Sequence, residues 1–343
     1  MPNFGAGAPF SRELLTWYRR DRRDLPWRRN RDPYSIWVSE VMLQQTQIAT
    51  VIPYFERWMA RFPDIASLAA ADDAEALALW QGLGYYRRCH LLLAGVRWVA
   101  EHGIPQDAAS WRAVPGVGPY TAGAIASIAQ SQRAALVDGN VKRVFARMKG
   151  SRATGPTLQK AAWTWAEAML DPAEPGDWNQ ALMELGATLC APQSPHCPRC
   201  PVKGWCFAFE TGTQGELPVP VARQKPVSLR HACWVAYCDG QFGVRQIGPT
   251  KWWPNMWEFP RIDYVPPDEP VPPLESLRNV WLEELELIRH HVTHHRIELR
   301  VFLAQLERPD EALRWESPAA LRGLPMPAPQ RKALRMAMKQ LGL

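Results

Sequence analysis

The chain of 343 residues is 47% hydrophobic, which suits two or three domains with buried cores. Lysine and arginine exceed aspartate and glutamate by 40 to 34, so a polyanionic partner is favoured only where the basic residues cluster. The sequence does not begin with basic residues followed by an apolar run, and charges or prolines interrupt every apolar stretch. This pattern excludes a secretory signal and a membrane span and predicts a soluble cytoplasmic protein.

The first 210 residues have the apolar pattern of helices. Hydrophobic side chains recur at three- and four-residue spacings in three long segments, 50–62, 74–84 and 87–103. No segment of this half shows convincing strand alternation. The pattern therefore predicts an all-helical region.

Seven arginines crowd the segment WYRRDRRDLPWRRNR, residues 17–31. Asp21 and Asp24 lie between them, so the segment is either a solvated helix face or a patch that faces phosphates. The pattern favours neither interpretation over the other.

A glycine-rich turn opens a small-residue helix in VPGVGPYTAG, residues 114–123. Gly116 and Gly118 permit a tight turn with exposed backbone N–H groups, and the next helix N-terminus adds its positive dipole end, so the turn can bind a phosphate. The lysine of a P-loop is absent and no strand precedes the turn, so neither common nucleotide-binding glycine motif is present. A short helix predicted over SWRAV favours a helix-hairpin-helix arrangement, with a plain interhelical turn as the alternative.

Two carboxylates have helical positions that suit different protonation states. Glu40 lies four residues after Ile36 and three before Leu43, on or beside an apolar face, so burial would let it hold a proton as a general acid does. A glutamate at the rim, paired with an arginine, is the alternative. Asp138 precedes a helix with a buried stripe; it is either an N-cap or an ionised carboxylate that faces developing positive charge, and one residue can do both.

Four of the seven cysteines have the spacing C-x6-C-x2-C-x5-C: Cys190, Cys197, Cys200 and Cys206. An odd total with four close together argues for metal or cofactor ligation rather than disulfides. Spacing alone leaves zinc and an iron–sulfur cluster equally open. The isolated cysteines, Cys89, Cys233 and Cys238, are expected to be buried thiols.

The composition changes after the cysteines. A stretch rich in proline and glycine at 211–229 is predicted to be a linker. After it, two strand-like runs flank Asp239 and Gly240 and predict a hairpin, a helix is predicted from Glu275, and HRIELRVFLAQL predicts another strand. The C-terminal third is therefore expected to be a separate α+β domain.

Five motifs occur in one order: SEVMLQQTQ, GLGYYRR, VPGVGPYTAGAI, VDGNVKRV and the cysteine spacing. From about Leu14 to Cys206 the chain resembles the MutY-type adenine DNA glycosylases of the helix-hairpin-helix superfamily, which includes endonuclease III. The resemblance implies a multidomain protein with an all-α helix-hairpin-helix glycosylase core, an iron–sulfur cluster loop and a C-terminal α+β Nudix-like domain.

The resemblance also implies a division of the chain. The helical catalytic region covers 1–210, with a six-helix subdomain at about 29–136 and an iron–sulfur subdomain built from the N-terminal helix and 137–210. The helix-hairpin-helix is placed at 111–126. The linker at 211–229 leads to the Nudix-like domain at 230–343, which senses 8-oxoguanine in this family.

By resemblance, the chemistry is removal of adenine from A·8-oxoguanine or A·G mispairs in double-stranded DNA, leaving an abasic site. Glu40 would protonate the flipped adenine at N7, and Asp138 would stabilise the oxocarbenium ion, with Tyr120 and Asn140 ordering that ion and the incoming water. The four clustered cysteines would hold a [4Fe–4S] cluster.

Further residues are assigned to DNA by the same resemblance. Gln45 and Tyr85 would fill the gap left by the flipped base, with Gln44 beside them, and Gly116 and Gly118 would grip the backbone. We expect the protein to act as a monomer without a membrane partner.

The C-terminal domain departs from the family pattern at two places. MWEFP, residues 256–260, matches the family motif, but the glycines usual before it are replaced in TKWWPN. The lesion-reading loop, commonly Phe-Ser-His, aligns with Val292, Thr293 and His294, which keep a hydroxyl and an imidazole. No run satisfies the Nudix box, so recognition without nucleotide hydrolysis is predicted.

Three other functions compete with this interpretation. A bifunctional endonuclease III-like lyase needs a lysine nucleophile, and the family lysine falls at Tyr120. A glycosylase for G·T mispairs is compatible with Tyr120 and Asp138. The presence of both Glu40 and Asp138 argues against a non-catalytic iron–sulfur protein that only binds DNA or transfers electrons.

Overall fold

The structure, a computed structural model, describes residues 9–221, 225–248, 250–263 and 281–343. Contacts between residues divide the chain into two compact units. The helical unit combines Met1–Ala71 with Arg88–Ala222, and the sheet unit combines Asp72–Arg87 with Arg223–Leu343. The segment Asp72–Arg87 therefore groups with the C-terminal part of the chain, which its helical pattern did not predict.

All regular structure in the described residues 9–221 is helical, which confirms the all-α prediction for this region. The helices are α1 (Pro9–Asp21), α2 (Pro33–Leu43), α3 (Ile48–Arg61), α4 (Ile65–Ala69), α5 (Asp73–Trp80), α6 (Arg87–His102), α7 (Ala108–Trp111), α8 (Pro119–Ile128), α9 (Gly139–Lys149), α10 (Gly155–Met169), α11 (Pro175–Thr188) and α12 (Phe207–Thr211). Short 3-10 turns cover Pro26–Arg28, Cys197–Arg199 and Lys203–Trp205. Among the described residues, none of the helices has the length and apolar character that a membrane crossing requires.

Side-chain caps determine where the two helices nearest the predicted site begin. The Asp32 carboxylate accepts a hydrogen bond from the backbone N of Ser35 at 2.8 Å and so starts α2. Asp138 accepts from the backbone N of Val141 at 2.7 Å and starts α9, which confirms its predicted role as an N-cap. α9 ends at Gly150, whose φ of 62° is a left-handed C-cap conformation.

α2 lies in the middle of the helical unit. It packs against both α3 and α8, and its residues from Tyr34 to Met42 are all buried. The Tyr34 hydroxyl donates to the backbone O of Phe62 at 3.0 Å, and the Trp58 indole donates to Tyr34 at 3.2 Å. Because α2 is covered on every side, Glu40 projects from a buried helix and not from the edge of an amphipathic one.

The described C-terminal part of the sheet unit contains a mixed sheet with two helices packed on it. The strands are β1 (Val227–Cys238), β2 (Gln241–Gln246), β3 (Trp257–Glu258), β4 (Arg261–Ile262), β5 (Trp281–Glu284), β6 (Ile288–Val292), β7 (His295–Gln305) and β8 (Arg314–Glu316), and the helices are α13 (Pro318–Gly323) and α14 (Ala328–Leu341). The strand order is β3-β2-β1-β7-β5, with β4 beside β1, β6 beside β7 and β8 beside β2. β1 and β7 are parallel, and the other strand pairs are antiparallel.

The sheet unit confirms the predicted α+β class. The hairpin turns at Asp239 and Gly240, which have φ values of 45° and 79°, and its strands bury a core with α14. β1 starts at Val227, so the last three residues of the predicted linker are strand. The helix predicted from Glu275 begins outside the described residues.

Candidate active site

One cavity of about 500 Å³ in the helical unit brings the predicted chemical groups together. The Pro26–Arg28 turn, α2 with the loop after it, and parts of α8, α9 and α11 surround it. Six predicted residues line this cavity: Glu40, Gln44, Gln45, Tyr120, Asp138 and Asn140.

Glu40 is 6% exposed and projects into this cavity from α2. Its Oε2 accepts a hydrogen bond from the Tyr120 hydroxyl at 2.6 Å. Burial raises the pKa of Glu40 to about 7, with a smaller rise from the charge of Asp138, and outweighs the lowering by the Tyr120 hydrogen bond. Glu40 can therefore carry a proton at neutral pH, which is the state that a general acid needs.

Tyr120 lies in the first turn of α8 and faces Glu40. Its hydroxyl is also 3.3 Å from the Met183 sulfur. Burial, and then the charge of Glu40, raise the pKa of Tyr120 well above its ordinary value. The phenol therefore stays protonated and donates.

Asp138 is held by the start of the helix that it caps. Its Oδ1 accepts from Val141 N at 2.7 Å and its Oδ2 from the Asn140 amide at 2.8 Å. Burial raises the pKa of Asp138, while these hydrogen bonds and the charge of Arg143 lower it. We predicted that the helix N-terminus would favour the ionised form; the hydrogen bonds do so, but burial opposes them.

Arg143 fixes the orientation of Asn140. The guanidinium donates from Nη2 to the Asn140 Oδ1 at 2.8 Å and from Nε to the backbone O of Cys190 at 2.7 Å. Because the amide oxygen faces Arg143, the amide NH2 faces Asp138. Sequence reasoning missed Arg143.

Sequence reasoning also missed an ion-paired glutamate in the same cavity. Glu184, 1% exposed, accepts from Arg23 Nε at 2.7 Å and from Arg28 Nη2 at 2.8 Å. Burial alone would raise the pKa of Glu184, but the hydrogen bonds from both arginines lower it to about 2. Arg23 and Arg28 thus fit neither interpretation of the arginine-rich segment, whereas Arg29, paired with Asp24 at 3.0 Å on the surface, fits the solvated one.

The two residues predicted to enter the base stack share an unusual backbone conformation. Gln45, in the helical unit, has a φ of 58° and is exposed; Tyr85, in the sheet unit, has a φ of 49° and is 45% exposed. A non-glycine residue in this region costs about 1 kcal/mol or more and is a feature of functional loops.

The glycine turn joins α7 to α8, which agrees with the predicted helix-hairpin-helix apart from small shifts in its ends. Gly116 has a φ of 79°, and a Cβ there would lie 2.6 Å from the Leu91 Cβ, so no side chain fits. Gly118 is the N-cap of α8, and a Cβ there would meet nothing within 4 Å. Gly116 is thus needed for the turn itself, and Gly118 leaves open space beside a helix N-terminus.

The four clustered cysteines line one small cavity of about 30 Å³. Burial raises the pKa of Cys197, Cys200 and Cys206, and the charge of neighbouring Cys190 raises each further. Four thiols around one small cavity form a donor set whose thiolates a cationic centre would stabilise, so the residues fit a thiolate-ligated group. As the side chains lie, no group of three or more histidine, cysteine or acidic residues in the described part of the chain forms a metal site.

The predicted lesion-reading residues lie on the tight turn between β6 and β7. Thr293 has a φ of 54°, and both Thr293 and His294 are exposed. The next residue, His295, packs its ring 5.1 Å from the ring of Trp252. Trp253, in the segment TKWWPN, has a φ of 62°, a conformation in which glycine is the favoured residue.

Each of the two parts of the chain matches a known protein family. Residues 38–168 match the HhH-GPD superfamily of base excision DNA repair proteins, and residues 231–336 match the NUDIX domain. A solved thermostable thymine-DNA glycosylase aligns with a TM-score of 0.54 and 29% identity over 59% of this chain and 95% of that one. The fold and the cavity therefore define a helix-hairpin-helix protein of base excision DNA repair.

Curated relatives indicate a particular family within this superfamily. Adenine DNA glycosylase of Rattus norvegicus is 49% identical over 222 residues, which cover 61% of this chain and 43% of the rat protein. Adenine DNA glycosylase of Buchnera aphidicola subsp. Acyrthosiphon pisum is 37% identical over 260 residues, 74% of each chain. The chain belongs to the adenine DNA glycosylase family, as its motifs predicted, and the matched part spans less than half the length of the rat relative.

Proposed function

We propose that this protein is a monofunctional adenine DNA glycosylase. It hydrolyses the N-glycosidic bond of adenine opposite 8-oxoguanine or guanine in duplex DNA and leaves an abasic site. The observation that carries the proposal is the buried Glu40, whose pKa is about 7 and whose Oε2 accepts from Tyr120 at 2.6 Å, in a cavity shared with Asp138.

Glu40 performs the acid half of the reaction. Adenine leaves poorly as an anion, and protonation at N7 lets it leave as a neutral base. The Tyr120 hydroxyl occupies Oε2, so Oε1 is the oxygen that carries the proton to the base. After the transfer, the same Tyr120 hydrogen bond stabilises the Glu40 carboxylate.

Asp138 performs the electrostatic half. Departure of adenine leaves positive charge on the sugar C1′ and O4′, and an ionised carboxylate stabilises it. Asn140, oriented by Arg143, holds one Asp138 oxygen in place. Water then adds its oxygen to C1′ and passes one proton to the Glu40 carboxylate, which restores the acid.

Duplex DNA is the proposed partner, and the protein acts as a monomer. The turn at Gly116 and Gly118 binds backbone phosphate, Gln45 and Tyr85 enter the stack with Gln44 beside them, and the sheet unit reads 8-oxoguanine through an exposed turn. Thr293 and His294 supply the hydroxyl and imidazole at that turn.

The four cysteines at 190–206 are proposed to hold a [4Fe–4S] cluster. The bound group would cross-link this loop and take no part in glycosidic-bond hydrolysis. Purified protein would then be brown with the absorption band of an iron–sulfur protein. A colourless protein loaded with zinc would contradict this assignment.

A second candidate, excision of thymine from G·T mispairs, is favoured by the 29% identity to the solved thymine-DNA glycosylase. A lyase is disfavoured because the described residues that line the cavity include no lysine. Single-turnover excision on A·8-oxoguanine, A·G, G·T and thymine-glycol duplexes, with borohydride trapping, separates these activities.

The excision measurements on these four duplexes have an expected result for the wild type and for two variants. We expect adenine release without a trapped adduct, and we expect E40Q and D138N to bind the A·8-oxoguanine duplex without excising adenine. Thymine release as the main product, or full activity in either variant, would contradict the proposed mechanism.

A further inference from the structure

We propose that Arg88 is a positioning residue that holds the loop Gln44–Thr46 in the conformation that presents Gln45 to DNA. This inference rests on the proposed function, and it adds a residue that binds neither the base nor the sugar. It assigns to a buried arginine the ordering of the segment that enters the base stack.

Arg88 donates hydrogen bonds to backbone carbonyls at the C-terminal end of α2. From Nη1 it donates to the backbone O of Val41 at 2.9 Å, to that of Met42 at 2.9 Å, and to that of Gln44. From Nη2 it donates to the Thr46 hydroxyl at 3.1 Å. One guanidinium thus contacts both sides of Gln45.

The location of Arg88 argues that this contact is a built feature. Arg88 is 8% exposed, and a charge so buried is retained only where partners replace its water. The last carbonyls of a helix lack partners within the helix and carry its negative dipole end, so a cation there is favourable. Three backbone oxygens and one hydroxyl accept the hydrogen bonds described above from the Arg88 guanidinium.

The conformation of Gln45 explains why the loop needs such a restraint. Its φ of 58° is costly for a residue with a Cβ, and the side chain is exposed, so packing of that side chain contributes little to holding it. Hydrogen bonds to Gln44 on one side and Thr46 on the other offset the strain. Without them, the loop would sample φ values that turn Gln45 away from its present direction.

The helix that carries Arg88 also supports the glycine turn. Leu91, three residues along α6, is the side chain that a Cβ on Gly116 would strike at 2.6 Å. α6 therefore contacts the Gln44–Thr46 loop and the helix-hairpin-helix turn on adjacent positions. Both proposed DNA-contacting segments of the helical unit take their relative placement from this helix.

The test compares two substrates with different costs of base flipping. One duplex contains A·8-oxoguanine, and the other contains adenine opposite an abasic site, where no base pair has to be broken. We expect R88Q to lose about tenfold or more in single-turnover excision on the first duplex and distinctly less on the second, with R88K intermediate on the first.

Arg97 provides the matched control. It lies on the same helix α6 and also donates to backbone carbonyls, those of Ala69 and Ala71, at 3.3 and 2.9 Å, but it is exposed. R97Q should stay within about twofold of wild type on both duplexes, the range that a surface substitution allows. T46V, which removes one acceptor of Arg88, keeps the test valid if R88Q does not fold.

Equal losses on the two duplexes would overturn the positioning role, because a general loss of stability lowers both rates together. Hydrogen exchange of the amides at 44–46 gives a readout without excision: it should accelerate in R88K and T46V but not in R97Q. If wild type released no adenine, the proposed function would fail, while unchanged exchange in R88K and T46V would reject the Arg88 inference by itself.

Discussion

Glu40 and Asp138 are two carboxyls in one cavity whose hydrogen-bond partners differ. Burial raises the pKa of Glu40, and the hydrogen bond from the Tyr120 phenol lowers it by less. The pKa of Asp138 is lowered by a backbone N–H, by an amide and by the nearby charge of Arg143. The protein thus keeps one carboxyl protonated near neutral pH and supports the charge of the other. The protonated state of Glu40 follows from burial, and the support for the Asp138 charge comes from residues within a few positions of it.

The rate of adenine excision is expected to fall as pH rises through about 7, because burial raises the pKa of Glu40 to that value and the proton is lost above it. Above the pKa the single-turnover rate should drop about tenfold per pH unit. On the acid side the rate should fall below the pKa of Asp138, which burial raises above 3.8. Binding of a duplex with a non-cleavable adenine analogue, measured over the same range, separates affinity from chemistry, and a flat rate up to about pH 9 would remove Glu40 as the acid.

The candidate site was predictable from sequence where its signals are local. The N-cap position of Asp138 and the spacing of Glu40 on its helix are short-range features, and the structure brings both to one cavity. Glu184 and Arg28 are 156 positions apart, so no local pattern pairs them. The left-handed φ of Gln45 was also not predictable, because glutamine carries no conformational signal of that kind.

At the scale of elements, the Arg23 and Arg28 pairs with Glu184 join the N-terminal turn to α11. Sequence patterns predicted the helices of this region but not which of them pack together. For α2 the packing could not be predicted, because its residues from Tyr34 to Met42 are all buried. Such a helix has no exposed polar face from which its orientation could be predicted.

We expect E184Q to destabilise the helical unit by about 3 kcal/mol at neutral pH, because it removes the buried counter-charge of Arg28, whose side chain is only 10% exposed. The control is E174Q, which removes the half-exposed partner of Arg19 and should change stability by less than about 1 kcal/mol. Urea unfolding of both variants measures the difference. Equal effects of the two substitutions would show that burial of the pair contributes nothing.

The same pair predicts an acid dependence. The pKa of Glu184 is lowered in the folded protein from 4.5 to about 2, so its contribution is present above 4.5 and is lost as pH falls toward 2. The stability gap between wild type and E184Q should therefore narrow over that interval. This window lies well below the one in which Glu40 titrates.

At the scale of the whole molecule, the sheet unit includes a segment from the middle of the helical sequence. Gln81 donates to the backbone O of Met326 at 2.9 Å and accepts from Arg331 at 2.6 Å. The turn that follows Gln81 ends at Tyr85, one of the two proposed stacking residues. The C-terminal part of the chain therefore braces the turn that carries Tyr85.

We expect Q81A to loosen this turn, because it removes both hydrogen bonds at once. Amide hydrogen exchange over 82–86 should accelerate about tenfold, which corresponds to about 1.4 kcal/mol of lost protection. Q106A is the control, since the Gln106 amide donates to the nearby backbone O of Ile104 at 2.7 Å. Unchanged exchange in Q81A would show that other contacts hold the turn.

The pairing of Gln81 with Arg331, 250 positions later, has a consequence for biosynthesis. At roughly 5–20 residues per second, a ribosome needs about ten to fifty seconds to deliver the second partner after the first. During that interval α5 and the turn after it emerge without Met326 and Arg331, the residues to which Gln81 hydrogen-bonds, and β1 likewise awaits its parallel neighbour β7. Because these contacts join residues far apart in the sequence, the nascent chain passes through a stage in which apolar surface is not yet buried. We expect chaperone binding and proteolytic cleavage to concentrate at 72–87 until the later partners have been synthesised.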